Sequence, residues 1–242
     1  MKYLCIAPCW NEENRLPELL SKIKEFKSKN IKVDFLFFDN GSLDNSLKII
    51  KSFGVPVIKY EKNMGPGYAL IHGLKIAIEK KYFGVIHIAA NGKMLPDEIN
   101  KFLDKIEKEN YDFVHGSRFL EGGNYKTNPK LRLFLIKITT IFLSIIFNRK
   151  ITDATCGYRA YKVNILKNNL NLLDKKKFYT YGHEYYVLGK ILKDKRFNFC
   201  EVPISMIYPK KGKYSKIRPV IDWYVILIAY IESLLDGKSL NK

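Results

Sequence analysis

Four short polar clusters in this sequence each follow an apolar run: PCWNEEN from Pro8, DNGSLDNS from Asp39, NMGPGYA from Asn63 and AANGKMLP from Ala89. Carboxylates, amides, hydroxyls and glycines gathered at one edge would line a pocket for a hydrogen-bonding ligand. Singly each cluster is weak, because Asp-Asn-Gly-Ser is also a common turn or helix cap and Gly65 and Gly67 could be punctuation before a helix. Their order and common edge carry the reading. The fourth cluster poses a question. In VIHIAANGKMLPDEI, Val85 to Ile99, a strand stops at a polar turn and Pro96 opens a helix. The carboxyl end of such a strand is where an open α/β sheet holds its ligand. An acidic metal ligand is expected there, yet the chain offers Ala89, Ala90, Asn91, Gly92 and Lys93.

The elements that must position these clusters follow from hydrophobic spacing. YLCIAPCW, VDFLFFDN, VPVIKYE and FGVIHIAAN read as strands. Between them ENRLPELLSKIKEFKSKN, SLDNSLKIIKSFG (ended by Gly54) and GPGYALIHGLKIAIEKK read as helices. Strands alternating with helices of this length predict an α/β fold, a Rossmann-like, mostly parallel central sheet with helices on both faces. PDEINKFLDKIEKEN continues as a helix and YDFVHGSRF as a strand. The second half is less regular. Leu131 to Phe147 is strongly apolar but carries Arg132 and Lys137, and PVIDWYVILIAYIESLL is interrupted by Asp222 and Glu232. Both fall short of a spanning helix of ~20 apolar residues. They are core helices or amphipathic helices in a membrane interface, and the second reading is preferred because two such segments need more apolar cover than remains.

The chain has 242 residues, enough for one large α/β domain burying about three quarters of its unfolded surface. No linker or repeat interrupts it. The expected organisation is one domain over residues 1–210, with 131–148 inserted as an interface helix, and a basic loop with a C-terminal amphipathic helix over 211–242. The formal charge of +18 favours anionic partners, although lysine-rich composition alone decides little. Cys5, Cys9, Cys156 and Cys200 have no metal-ligand or Cys-x-x-Cys spacing and read as reduced core thiols in a cytosolic chain. The first residues are too short an apolar run for a signal peptide.

Taken together the motifs resemble the family 2 glycosyltransferases of GT-A fold, in the branch of dolichyl- or polyprenyl-phosphate mannosyl- and glucosyltransferases. The resemblance spans nearly the whole chain. Pro8, Trp10, Asn11 and Glu12 correspond to the family's Pro-x-Tyr-Asn-Glu segment on the nucleotide base, and Asp39, Asn40, Gly41, Ser42 and Asp44 to the Asp-Asp-Gly-Ser-x-Asp that holds base and ribose. Asn63, Gly65 and Ala69 look like Asn-x-Gly-x-x-x-Ala, and Gly116, Ser117 and Arg118 are the intact Gly-Ser-Arg. Asp153, Gly157, Tyr158 and Arg159 resemble the motif near donor sugar and acceptor. EVPISMIYPKKGKYSK looks like the Glu-Val-Pro-Ile segment and the basic loop that closes over the phosphates, with Lys213, Ser215 and Lys216.

The resemblance implies an inverting transferase that uses a nucleotide-sugar donor and a lipid-phosphate or lipid-linked acceptor, peripheral on the inner face of the cell membrane. It also sharpens the opening question, because the family's metal-binding Asp-x-Asp falls on Ala89 and Asn91. Alanine cannot ligate a cation, and a lone amide is a weak ligand for a hard one. No cofactor is therefore expected, with Mg²⁺ or Mn²⁺ as the disfavoured alternative. Lys93, with Arg118, Arg159 and lysines of the 210–216 loop, is expected to clamp the diphosphate instead. A lipid-phosphate acceptor is already anionic and needs no base, and Arg118, Arg132 and the apolar segment after it could receive it. A sugar-hydroxyl acceptor would need Glu184, Asp153 or His183 to take its proton. An inactive nucleotide-sugar-binding relative is the further alternative. Nucleic acid is not an expected partner, since the aromatics lie in strands and apolar helices rather than among basic residues.

Overall fold

The computed structural model describes residues 1–28, 31–125, 130–207, 216, 218 and 221–240. Its strands are β1 (Lys2–Cys9), β2 (Lys32–Asp39), β3 (Val57–Lys59), β4 (Gly84–His87), β5 (Phe113–Ser117), β6 (Arg159–Lys162) and β7 (Phe199–Pro203). The helices are α1 (Leu16–Glu25), α2 (Ser46–Ser52), α3 (Pro66–Glu79), α4 (Ile99–Lys108), α5 (Lys130–Ile146), α6 (Asn164–Lys167), α7 (Leu170–Leu173), α8 (Gly182–Lys193) and α9 (Ile221–Leu235).

The strands form one seven-stranded sheet in the order β3-β2-β1-β4-β6-β5-β7. Alternation along β1 shows why it has two covered faces. Tyr3, Cys5, Ala7 and Cys9 enter one core with Leu19, Leu20, Ile50, Phe102 and Ile106, from α1, α2 and α4. Leu4 and Ile6 enter the other with Leu70, Leu74, Tyr186, Leu188 and Ile226, from α3, α8 and α9. Side chains of period two with both faces apolar are what a buried parallel strand requires.

One strand departs from the parallel pattern. RAYK of β6 runs antiparallel between β4 and β5, with Arg159 opposite both His87 and His115. Sequence reading treated this stretch only as part of a motif, because four residues are too short to show a period. The strand's placement matters, since it carries Arg159 to the end of β4.

The expected domain boundary at residue 210 lies outside the described residues. Beyond it, α9 packs on α8, where a Cβ on Gly189 would meet Ser233 at 2.0 Å from its Oγ, and on the loop before β6, where the Tyr230 hydroxyl donates to the Ala154 carbonyl at 2.7 Å. The Phe147 ring, just after α5, lies 5.9 Å from that of Tyr230. Each of these helices leaves an apolar face outward. On α5 these are Leu131, Phe134, Leu135, Ile138, Ile141, Phe142, Ile145 and Ile146; on α9, Ile221, Tyr224, Leu227, Ile231 and Leu235. Among the described residues no helix is long and apolar enough to cross a membrane.

Candidate active site

A cavity of about 500 Å³ opens at the carboxyl ends of β1 to β4, bounded further by the starts of α5, α8 and α9. The loops after β1 and β2 are stitched together. The backbone N–H groups of Asn11, Glu12 and Glu13 donate to Ser42, Ser46 and Asp44, and the Asn11 side chain accepts from the Leu43 N–H at 2.8 Å. Asn40 and Asn63 spend their side-chain oxygens in the same way, on the N–H groups of Met64 and Gly65. Polar residues in these motifs therefore shape the rim as well as face it.

The glycines of NMGPGYA have a packing role. A Cβ on Gly65 would stand 2.2 Å from the Tyr179 carbonyl oxygen, and one on Gly67 would stand 2.0 Å from that of Phe178. The N–H groups of Gly67 and Tyr68 donate to the carbonyls of Thr180 and Tyr179 at 2.9 and 3.0 Å. These first-turn donors of α3 bind the loop before α8 and are not turned to a phosphate.

At the end of β4, the Asn91 side-chain oxygen accepts the Lys93 N–H at 3.2 Å, and Gly92 takes a left-handed φ of +69°. The Ala89 N–H is directed to the Met94 sulfur at 3.3 Å. Side chains at this turn fit a divalent cation poorly: Ala89 offers no side-chain oxygen, and Asn91 offers one neutral oxygen that also accepts the Lys93 N–H. Among the described residues, no group of three or more His, Cys, Asp or Glu side chains is placed to hold a metal. Cations line the same cavity instead, namely Arg15, Lys93, Arg118, Arg132, Lys216 and Arg218. Burial, and then the charge of Arg132 with help from Arg15 and Lys216, pushes the Lys93 ammonium down to about 8, against the pull of Glu12. Lys216 pairs with Glu12 at 2.8 Å, donates to the carbonyls of Trp10 and Asn11, and stands 5.3 Å from the Trp10 ring centre. Lys213 and Ser215 lie outside the described residues.

Asp153 and Arg118 form a buried two-point pair. Arg118 Nε and Nη2 donate to the two carboxylate oxygens at 2.6 and 2.7 Å, and Nη2 also reaches Thr155 Oγ1 at 2.7 Å. Burial alone would raise the Asp153 carboxyl, but the charge and hydrogen bonds of Arg118 outweigh it and hold it below the usual range. Arg118 lines the cavity and Asp153 does not. Glu201, in the Glu-Val-Pro-Ile segment, accepts from the Thr152 N–H and hydroxyl at 2.7 and 2.8 Å and fixes this loop from behind.

Glu184, in the first turn of α8, faces the cavity. Gly157 makes room for it, since a Cβ there would stand 3.0 Å from Oε1. Arg159 is fully buried behind it, donating to the main-chain carbonyls of Glu184 and Cys156. Of the residues singled out from sequence, Pro8, Trp10, Glu12, Asn40, Asn63, Gly65, Ala89, Asn91, Lys93, Arg118, Arg132, Glu184 and Lys216 line the cavity; Asp39, Asp153 and Arg159 do not. Asp39 is buried, and its Oδ1 has no hydrogen-bond partner among the described residues. His183 is also buried away from the cavity, and burial carries its imidazole well below the ordinary value. Sequence reading missed Arg15, His87 and Tyr181. Arg15 directly follows the first polar cluster, whereas nothing in the apolar run of β4 marks His87.

Comparison with known proteins agrees with this geometry. Residues 5–170 match the profile of glycosyl transferase family 2. The chain is similar to the UDP-N-acetylglucosamine–dolichyl-phosphate N-acetylglucosaminyltransferase of Methanococcus voltae, with 29% identity over 234 residues, 88% of this chain and 87% of that protein. It is also similar to the polyprenol monophosphomannose synthase of Mycolicibacterium smegmatis, 28% identical over 216 residues, 86% of this chain and 78% of that one. In fold it resembles glucosyl-3-phosphoglycerate synthase from Mycobacterium tuberculosis, crystallised with Mn²⁺, UDP and glucosyl-3-phosphoglycerate. The TM-score is 0.66 at 15% identity, over 98% of this chain and 79% of that chain. With a GT-A sheet, a polar cavity on its carboxyl edge and a family profile spanning most of its length, the chain belongs to glycosyl transferase family 2 and is a glycosyltransferase.

Proposed function

We propose that the enzyme moves a sugar, with inversion, from a nucleoside diphosphate sugar to a polyprenyl phosphate at a membrane surface, using side-chain cations where relatives use a metal. The observation that carries this reading is the cation set around Lys93 in the very turn where the Asp-x-Asp is missing. The acceptor phosphate oxygen attacks the anomeric carbon as the bond to the diphosphate breaks. The diphosphate leaves with the electron pair, and Lys93, Arg15 and Lys216 stabilise its charge. Such an acceptor brings its own negative charge, so no base is needed, and Glu184 is left to hold a hydroxyl of the donor sugar. Trp10 and Asn40, which line the cavity, serve the base. The names of the Methanococcus and Mycolicibacterium relatives support a polyprenyl-phosphate acceptor.

The lipid end of the acceptor has a route. Arg132 in the first turn of α5 and Asp222 in the first turn of α9 both line the cavity, so the two helices with outward apolar faces start at its mouth. Apolar patches of this size beside a net charge of +18 suit an anionic bilayer surface. The deciding experiment is calorimetric titration with UDP and with GDP, each in EDTA and in excess Mn²⁺, on wild type and Lys93→Ala. Binding indifferent to EDTA but lost in Lys93→Ala is the expected result; binding that needs Mn²⁺ and tolerates Lys93→Ala overturns the metal-free mechanism.

A further inference from the structure

His87 ends β4, is 3% exposed and reaches the cavity wall. Its Nε2 lies 3.1 Å from the Tyr161 hydroxyl, with the two rings edge to face at 5.3 Å. Its Nδ1 has no hydrogen-bond partner among the described residues and points toward Glu184 Oε1 at 4.0 Å. Arg159 Nε is in the same condition, unpartnered among the described residues and 3.9 Å from the same oxygen. One carboxylate oxygen thus faces two buried nitrogens, each just beyond direct hydrogen-bond reach and within reach through one water or a small side-chain shift.

The tautomer of His87 follows from its neighbours. Burial, opposed by Glu184 and assisted by Arg159, lowers the His87 imidazole from its ordinary value, and burial raises the Tyr161 phenol. A neutral ring carries one N–H. If Nε2 held it, the Nδ1 lone pair would face a carboxylate, which is repulsive. If Tyr161 donates its hydroxyl proton to Nε2, then Nδ1–H is aimed at Glu184 and all three groups are matched.

We propose that His87 is a positioning residue: its Nδ1–H, fixed by the Tyr161 hydroxyl, works with Arg159 Nε to hold the Glu184 carboxylate turned across Gly157 into the sugar end of the cavity. The role assigned to Glu184 rests on the proposed function, whereas the orientation of the pair does not. His183, whose ring centre is 6.3 Å from that of His87, fills the space behind with no hydrogen bond among the described residues.

Two measurements test this. Long-range ¹H–¹⁵N spectra of the whole protein at pH 7 report the tautomer of each of its four histidines without any substrate, with His87→Asn identifying the His87 signals. The expected result is a neutral Nδ1–H ring in wild type and a changed tautomer balance in Tyr161→Phe; a neutral Nε2–H ring or an imidazolium overturns the proposal. Turnover of the nucleotide sugar supplies the second readout. Asparagine places an N–H near the Nδ1 position, while glutamine places it near Nε2. His87→Asn is therefore expected to keep kcat close to wild type, while His87→Gln and His87→Ala lose about 10- to 100-fold, the size of a hydrogen bond to a charged group. Equal losses in the Asn and Gln variants, at matched melting temperatures, overturn the positioning role. Should no nucleotide sugar be turned over at all, the proposed reaction fails and the spectra still decide the pair.

Discussion

The side-chain oxygen of Asn91 accepts the backbone N–H of Lys93 at 3.2 Å, and both residues line the cavity at the end of β4. Lys93 is half-buried, and burial with the charges of Arg132, Arg15 and Lys216 outweighs the pull of Glu12 and lowers its ammonium.

A pH dependence follows. With Lys93 titrating at about 8 in the free protein, a diphosphate that favours the ammonium is bound with proton uptake above that pH. UDP affinity is expected to fall by up to about tenfold per pH unit from pH 8 upward, and calorimetry in two buffers of different ionisation enthalpy reads the proton directly. Lys93→Met should remove this dependence and weaken binding at pH 7 by about 10- to 100-fold. For the ligand-free protein the sign is opposite: the folded value is depressed from 10.5, so the unfolded chain binds the extra proton and stability rises as pH climbs from 8 towards 10.5.

Breaking the Arg118 and Asp153 pair should cost more than deleting it. Arg118→Met or Asp153→Leu alone leaves a buried charge without its partner, and each is expected to lower unfolding free energy by about 3–5 kcal/mol. The double variant should recover much of that loss in urea titrations while still failing to bind phosphate, because Arg118 lines the cavity. Because the Asp153 carboxyl is depressed in the fold, the pair's contribution is full above its unfolded value of 3.8 and is lost as pH falls through the folded one.

Gly67→Ala is expected to be severe despite adding one methyl group to a helix. That methyl would stand 2.0 Å from the Phe178 carbonyl and 2.5 Å from that of Thr180, so α3 and the loop before α8 would have to part. The loop carries Thr180 and Tyr181 into the cavity. Loss of nucleotide binding together with a lowered melting temperature is the predicted pair of effects; an unchanged melting curve would contradict the close packing.

The outward face of α5 gives the last prediction. Ile141 and Ile145 are 62% and 73% exposed, so Ile141→Asp with Ile145→Asp should leave the fold standing. Co-sedimentation with vesicles rich in anionic lipid should drop sharply in this variant, and wild-type binding should weaken as salt is raised. Equal sedimentation of the two proteins would remove the membrane from the proposed function.

The β/α order, the carboxyl edge and the residues gathered there were legible in the sequence because each rests on local rules. Period-two apolar runs make the strands, Gly54 stops a helix, and every binding loop must then fall on the same edge. The absence of Asp-x-Asp was equally plain from Ala89 and Asn91. What no local rule could supply was the antiparallel β6, set by its pairing with β4 and β5 rather than by any pattern in RAYK. That pairing takes Arg159 behind Glu184 and out of the cavity, and gives Tyr161 to His87 as a partner. Asp153, one candidate base for a hydroxyl acceptor, is paired with Arg118. Residue types and spacing thus determined which groups are present at the sheet edge. Only long-range contacts decided which face the ligand and which stand behind, because a buried charge must find its counterpart wherever the chain brings one.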